Sequence, residues 1–411
     1  MLSMRTLVVM LGISISPITQ AQDLSTVESS PWWDFLEMKP LFTNIEASKG
    51  NTEGWSVVGG KASYDWKKDS SSGNLDGGWM LHGSGRAPRN AFLTSQRDFG
   101  DFMLEVDVKI DAGAGNSGIQ IRSHESNQHL VGYQIEIDSS PRSWSGGLYD
   151  EARRGWLASL QDNVDAQEAF APGEWNTYRI LCIGPRIRTW INGVPAVDHL
   201  DFADLSGRIA FQVHSGQCDV YWRNARIADL GIREWKTLLD VASHQDDDRQ
   251  YTIDPPGAAL IQGGGLQITP DGATIRLHEQ LPEAVSVLVV KATMKSGTMG
   301  LKIGEQAGAD RVSYRLRVPS PLGTPGKPGI IQVVQGPDGT TVIIDGAPLV
   351  PGPPNLQGPL PVTLEFTEDG DARIMSVDLL PPTTAETEAL ASARELNRKA
   401  RDEPAAGEQN P

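Results

Sequence analysis

At 411 residues the chain has room for two or three domains, and 39% apolar residues suffice for ordinary cores. A net charge of −16 argues against nucleic acid and anionic membrane surfaces, since both need clustered Lys and Arg. Only 21% of residues are charged, while 43 are Gly and 27 are Pro; that balance suits many turns between short strands, not long helices.

The N-terminus reads as a secretory signal over residues 1–21. Arg5 is its positive end, Leu7 to Ile15 its apolar run, and Thr19-Gln20-Ala21 its small-residue cleavage site. The apolar run is too short to span a bilayer, and no Cys follows it to carry a lipid. The expectation is a soluble periplasmic or secreted protein. Asp23 to Ser30 is a polar lead-in.

From residue 32 to 232 the sequence predicts strand after strand. Phe102 to Ile110, Gly118 to Arg122, Gly132 to Asp138 and Thr177 to Ile183 are examples, followed by Ile187 to Ile191, Arg208 to His214 and Asp219 to Ile227. Asn192-Gly193 between Ile191 and Val194 is the strongest hairpin signal. Many short strands without helical periodicity imply an all-β jelly-roll sandwich. Cys182 and Cys218 both fall in predicted strands, where a disulfide and two small buried hydrophobes are open alternatives.

Residues 234–382 are also β-rich, yet all 11 Trp lie between Trp32 and Trp235. The order of features repeats: 107–122 resembles 291–304, 187–197 resembles 341–350, and 208–216 resembles 361–370. Ile209, Phe211 and Val213 fall against Val362, Leu364 and Phe366, whereas His214 falls against Thr367. Fixed order over three segments predicts a second, degenerate sandwich, with chance likeness among strands as the bland alternative. No counterpart of Gly132–Trp156 is visible there. Residues 323–329 and 351–361 read as Pro/Gly connectors, 384–403 as a helix, and 404–411 as a disordered tail. Asp246-Asp247-Asp248 lacks the glycine and terminal Glu of a calcium loop and reads as a solvated turn.

The segment from Gly132 to Trp156 carries the chemistry. Side chains in a strand project with period two, so Gln134, Glu136 and Asp138 share one face and Tyr133, Ile135 and Ile137 the other. By the same rule Gln120 and Arg122 leave the core in their strand, as do Gln212 and His214 in theirs. If these faces belong to one sheet, they build a hydrophilic floor of the kind that grips sugar hydroxyls. A cluster follows, with Trp144, Tyr149, Asp150, Glu151, Arg153, Arg154 and Trp156, whose rings can stack on sugars. Each group alone has a duller reading. Glu136 and Asp138 could be solvated, His214 structural, and Arg153-Arg154 a loop ion-pair cluster with Asp150 and Glu151. The case for a site rests on their coincidence. Glu136, Asp138 and His214 could also converge on a divalent metal, which strand-separated ligands leave without a spacing signature.

Residues 100–122, 132–138, 144–157, 172–180, 186–198 and 208–230, in that order, resemble the 3-keto-disaccharide hydrolase family, which has a concanavalin-like jelly roll. Many members read Gly-Tyr-Glu with Gln two residues on, whereas this chain has Gln134 and Glu136. The carboxylate thus keeps its face but moves along it by roughly 6–7 Å. The resemblance implies cleavage of a glycoside already oxidised at C3 by a separate sugar oxidoreductase. Such a reaction needs a base, an acid for the leaving oxygen and donors for an enolate. From face geometry, Glu136 and His214 are the base and acid in either order. Tyr149 or Arg122 would support the enolate. Gln120, Gln134, Gln212 and Trp156 would hold the ring, and Asp138, Asp150 and Arg154 would complete the contacts. The alternatives are a non-catalytic carbohydrate-binding module, because such jelly rolls also serve in lectins, and an adhesive surface protein.

Overall fold

The structure is a computed structural model. It describes residues 32–43, 53–69, 78–240, 250–262, 265–282, 286–304, 314–324, 327–336, 339–349, 360–368 and 370–402. The expected signal, the polar lead-in, the acidic run at 246–248, most of the 351–361 connector and the tail lie outside the described residues.

Chain order begins with β1 (Lys39–Pro40), β2 (Trp55–Gly59), β3 (Ser63–Lys68), β4 (Trp79–Ala87) and β5 (Ala91–Ser95). Next come β6 (Asp101–Ile110), β7 (Asn116–Ser126), β8 (His129–Asp138), β9 (Leu148–Glu151), β10 (Gly155–Ala158) and a short helix α1 (Val164–Ala169). β11 (Asn176–Ile183), β12 (Arg186–Ile191), β13 (Val194–Leu200), β14 (Arg208–Val213) and β15 (Gly216–Gly231) complete this half. One sheet runs β13-β12-β11-β6-β15-β4-β3 with β1 on β15, and the other runs β10-β9-β8-β7-β14-β5-β2.

Alternation dictates how the two sheets meet. Leu104, Val106, Val108 and Ile110 of β6 face Ile119, Ile135, Ile137 and Phe211 of the seven-stranded sheet in one buried cluster. Asn192 (φ 51°) and Gly193 (φ 83°) both take the left-handed backbone that a tight β12–β13 hairpin requires. Cys182 and Cys218 are both free and buried. They sit on β11 and β15, which flank β6, so a whole strand separates them and no disulfide can close.

The second half contains β16 (Lys236–Asp240), β17 (Tyr251–Asp254), β18 (Ala259–Gln262), β19 (Gly265–Ile268), β20 (Ala273–Leu281) and β21 (Ser286–Ser296). β22 (Thr298–Ile303), β23 (Tyr314–Pro319), β24 (Gly329–Gly336), β25 (Gly339–Ile344), β26 (Ala347–Leu349), β27 (Leu360–Phe366) and β28 (Asp371–Leu380) follow. Read in the matching direction, its sheets are β26-β25-β24-β21-β28-β19-β18, with β16 on β28, and β23-β22-β27-β20-β17. Strand for strand this is the topology of the first half, with no counterpart of β9 and β10 among the described residues. The registers agree as well. Ile119 lies opposite Ile135 and Phe211, and Leu301 lies opposite Leu316 and Leu364. The fold is therefore all-β, a jelly-roll sandwich followed by a second one with its own core.

Helix α2 (Thr384–Asp402) returns to the first sandwich. Its Ala393 packs with Trp32, Trp33, Met103, Leu181 and Leu230 on the outer face of the eight-stranded sheet. Beside it, buried Arg233 donates to Asp101 (2.5 Å) and to Glu386 (2.6 Å). A second junction seats Leu200, Phe202 and Leu205 on Val287, Val289, Val334 and Leu380.

Candidate functional site

The site is built on the outer face of the seven-stranded sheet. Register places Trp156, Tyr149, Gln134, Gln120 and Ala210 in one row across β10, β9, β8, β7 and β14. The next row holds Glu136, Gly118, Gln212 and Phe92. Asn116 and Asp138 pair in the row beyond.

These side chains form one connected network. Gln134 Oε1 accepts from Gln120 Nε2 and Gln212 Nε2, each at 2.8 Å. Gln134 Nε2 donates to Glu136 Oε2 (3.1 Å), while Glu136 Oε1 accepts from Asn116 Nδ2 (2.7 Å) and Arg142 (2.9 Å). Gly118 makes room for this: a Cβ there would lie 2.4 Å from Gln134 Cδ. Gln212 Oε1 is buried without a partner, an acceptor left over on the floor.

Arg142 joins the floor to the following loop. Its Nε donates to Asp138 Oδ2 (2.8 Å), and its guanidinium lies 4.9 Å from the Trp144 ring and 5.1 Å from that of Trp156. Trp156 also meets Trp144 and Tyr149 edge-on, at 4.9 and 5.2 Å between centroids. Burial pushes the Glu136 carboxyl above its usual range, although Asn116, Gln134 and Arg142 pull the other way. Burial would raise Asp138 too, but hydrogen bonds from Ser140 and Arg142 prevail and hold it below the carboxylate range.

One end of the floor is roofed. The β7–β8 register breaks between Ile121 and His124, and Arg122 turns to φ 46°. Opposite, Gly132 takes φ 138°, where a Cβ would sit 2.9 Å from Ser123 Cα. Together these kinks fold the hairpin tip back over the face. Leu130 packs on Phe92 and Ala210, His129 meets the Phe92 ring edge-on, and Glu151 accepts from Asn90 and His129. The glutamines lie under this roof. The Glu136 end stays open, with the Arg142 side chain 40% exposed and Tyr149, Trp144 and Trp156 half-buried.

Residues 38–228 match the family described as the 3-keto-alpha-glucoside-1,2-lyase-like domain. This stretch belongs to that family. The match agrees with the motif resemblance and makes the lyase-like domain's role carbohydrate-related. No curated protein matches the chain. A Parabacteroides distasonis protein provisionally described as a glycosyl hydrolase is 21% identical, covering 47% of this chain and 100% of its own, with a TM-score of 0.32. The carbohydrate-binding module CBM66 of Bacillus subtilis is 14% identical, covering 43% and 96%, with a TM-score of 0.32. A Bacillus subtilis protein of galectin-like fold is 12% identical, covering 48% and 97%, at 0.33. Likeness at this level reaches neither activity nor ligand.

Within the lyase-like domain the structure brings together Gln120, Gln134, Glu136, Asp138, Gln212, Tyr149 and Trp156. His214 follows directly on β14, just past Val213, whose pairing with Ser117 is the last of the ladder. It is half-buried, and its Nδ1 lies 2.8 Å from the Ser215 carbonyl, which fixes the proton on Nδ1 and leaves Nε2 for other work.

Three expected residues are elsewhere. The bulge turns Arg122 into the sandwich, where it is 0% exposed and donates to Gly100 O, Gly184 O and Asp101. Asp150 pairs with core-facing Tyr133, so it lies on the opposite side of the sheet from Tyr149. There it holds Arg153 and Arg154, which also bind Asp204 and Asp201. That is the duller ion-pair reading as far as Asp150 goes, with Asp201 and Asp204 where Glu151 was expected, since Glu151 meets Asn90 and His129 instead. The suggested metal set does not assemble either: among the described residues no three His, Cys, Asp or Glu stand together as ligands, and Arg142 bridges the two carboxylates.

Sequence reasoning missed Asn116 and Arg142. Asn116 could have been found by extending the β7 face by one pair. Arg142 had only its place four and six residues past two carboxylates.

Proposed function

We propose that the lyase-like domain cleaves glycosides oxidised at C3, by elimination across C1 and C2. The observation that carries this is Glu136: a buried carboxyl with a raised proton affinity, gripped by three donors, at the open end of a polar floor whose glutamines are roofed.

A 3-keto group acidifies the C2 proton and places the C1 oxygen β to the carbonyl. Glu136 as base takes the C2 proton, and the electron pair moves onto the ketone oxygen as an enolate. Arg142 and the Tyr149 hydroxyl are the donors placed to stabilise that charge. The enolate then re-forms the carbonyl as the C1–O bond breaks, giving an enone and the free aglycone. His214 as imidazolium, anchored through Nδ1–H on the Ser215 carbonyl, gives its Nε2 proton to the leaving oxygen. Water adding across the enone, hydroxyl to C1 and proton to C2, makes the sum a hydrolysis. Trp156 and Trp144 offer rings for the sugar at the open end, while the roofed glutamines, Gln212 included, support Glu136 from beneath and do not touch the sugar.

The test is incubation of purified protein with a 3-keto-disaccharide, following released sugar. Turnover is expected, and Glu136→Gln should abolish it while the protein still unfolds cooperatively. Binding of intact glycans without any turnover would make the domain a binding module instead.

A further inference from the structure

We propose that the outer face of the second sandwich's five-stranded sheet binds an acidic polysaccharide. Topology makes this face the counterpart of the glutamine floor. With Ile119 matched to Leu301, the positions of Gln120, Gln134 and Glu136 become Lys302, Arg315 and Arg317. Gly118 stays glycine, as Gly300. The amide-and-carboxyl floor has become mainly cationic on an unchanged scaffold, with one acid, Glu365, in the place of Gln212.

One ladder row crosses the sheet as Arg276, Thr363, Lys302 and Arg315. Strands lie about 4.8 Å apart, so Arg276 and Lys302, two strands apart in this row, stand roughly 10 Å from one another. Arg317 sits one pair further along, beyond Gly300 and Glu365. Folding does not ask for this arrangement: an outward strand position needs no charge, and the first sandwich fills the place of Lys302 with the uncharged Gln120. Arg276 and Arg317 are exposed and Lys302 is half-buried. Among the described residues none of these three has an ion-pair or hydrogen-bond partner. All this stands on a chain of net charge −16, where a cationic row is a local exception.

A polyuronide offers a carboxylate on each ring of an extended chain, which a straight row of cations on a strand surface can follow. The second sandwich has no tryptophan, so a ligand here is gripped by charge rather than by ring stacking. That absence disfavours single-stranded nucleic acid, whose bases need such platforms. The choice of a glycan rests on the carbohydrate reading of the first sandwich. The face points away from the junction, which uses the other sheet through Val287, Val289 and Val334.

Titration calorimetry of the full chain with polygalacturonate tests this, with neutral dextran as the contrast. Polygalacturonate is expected to bind and dextran not to. Binding should fade by about 0.5 M salt as the cations are screened. The double substitution Lys302→Gln with Arg317→Gln should weaken it at least tenfold while the unfolding midpoint holds. If that variant unfolds, the single exposed change Arg276→Gln should still weaken binding several-fold. No polygalacturonate binding, or unchanged affinity in the folded variants, overturns the proposal. So does equal binding of a DNA oligonucleotide or anionic vesicles that the same substitutions abolish. Turnover of a 3-keto-disaccharide in the same preparations reports on the first site, so either reading can fail alone.

Discussion

Two sheet faces built on one topology differ in almost everything that meets solvent. In the first sandwich Gln134 gathers Gln120, Gln212 and Glu136 around it, under a folded-back hairpin and beside a loop of rings. At the matching places the second sandwich carries Lys302, Arg315, Arg317 and Glu365, with no loop equivalent to β9–β10 among the described residues. Meanwhile Ile209, Phe211 and Val213 keep their counterparts in Val362, Leu364 and Phe366, all buried. Burial of apolar area constrains the inward residues of a strand. The outward residues answer only to what binds them, so the two copies share a core and not a chemistry.

The sharpest way to break that contrast is Glu136→Gln. Loss of a general base should cut kcat by on the order of 10²–10⁴, measured as sugar release. A variant with full turnover would remove Glu136 from the chemistry. Next in size is Arg233→Ala, which strands Glu386 as a buried acid where the two halves meet and leaves Asp101 with Arg122 as its remaining cation. It should cost about 3–5 kcal/mol by urea unfolding. Arg186→Ala, which opens an exposed pair with Asp198, should cost no more than about 1 kcal/mol. An effect between those two separates the matched glycines. Gly118→Ala drives a methyl into Gln134 and should lower stability by about 1–3 kcal/mol, with turnover falling alongside. Gly300→Ala should leave turnover untouched.

The smallest expected effects concern pH. Glu136 is raised in the fold, so activity should climb through an acidic limb displaced upward from the ordinary carboxylate range. Arg142→Gln removes one of the influences that lower it, and the limb of kcat/KM should move further up. The stability sign is opposite. A carboxyl raised on folding contributes fully below its unfolded value, about 4.3, and that contribution is lost as pH rises through the folded one. Glu136→Gln should therefore be no more stable than the parent at pH 4, yet gain on it by pH 7. Equal pH dependence in both proteins would refute the buried-carboxyl account.

Alternation along β7, β8 and β14 was enough to place Gln120, Gln134, Glu136 and Gln212 on one face, because each strand buries a strict apolar set. The same rule should have parted Asp150 from Tyr149, since neighbours on a strand face opposite ways. Arg122 escaped the rule because a bulge reverses its side chain, and a bulge leaves no periodic trace. The roof was illegible for a related reason: Leu130 meeting Phe92 and Ala210 depends on kinks at residues 122 and 132, not on local composition. Arg142 sits in a loop, where only the fold decides which way an arginine reaches.

The buried chain of charges from Arg122 through Asp101 and Arg233 to Glu386 has a practical consequence for anyone dissecting the molecule. The family match ends at residue 228, but the counter-ions that quiet Asp101 come partly from residue 233, and that residue's other partner belongs to the last helix. Expressing the lyase-like portion alone would uncap an acid at the sandwich's heart and bare the indoles that α2 shelters. A shortened recombinant version should therefore aggregate or melt early unless the cut falls beyond the terminal helix.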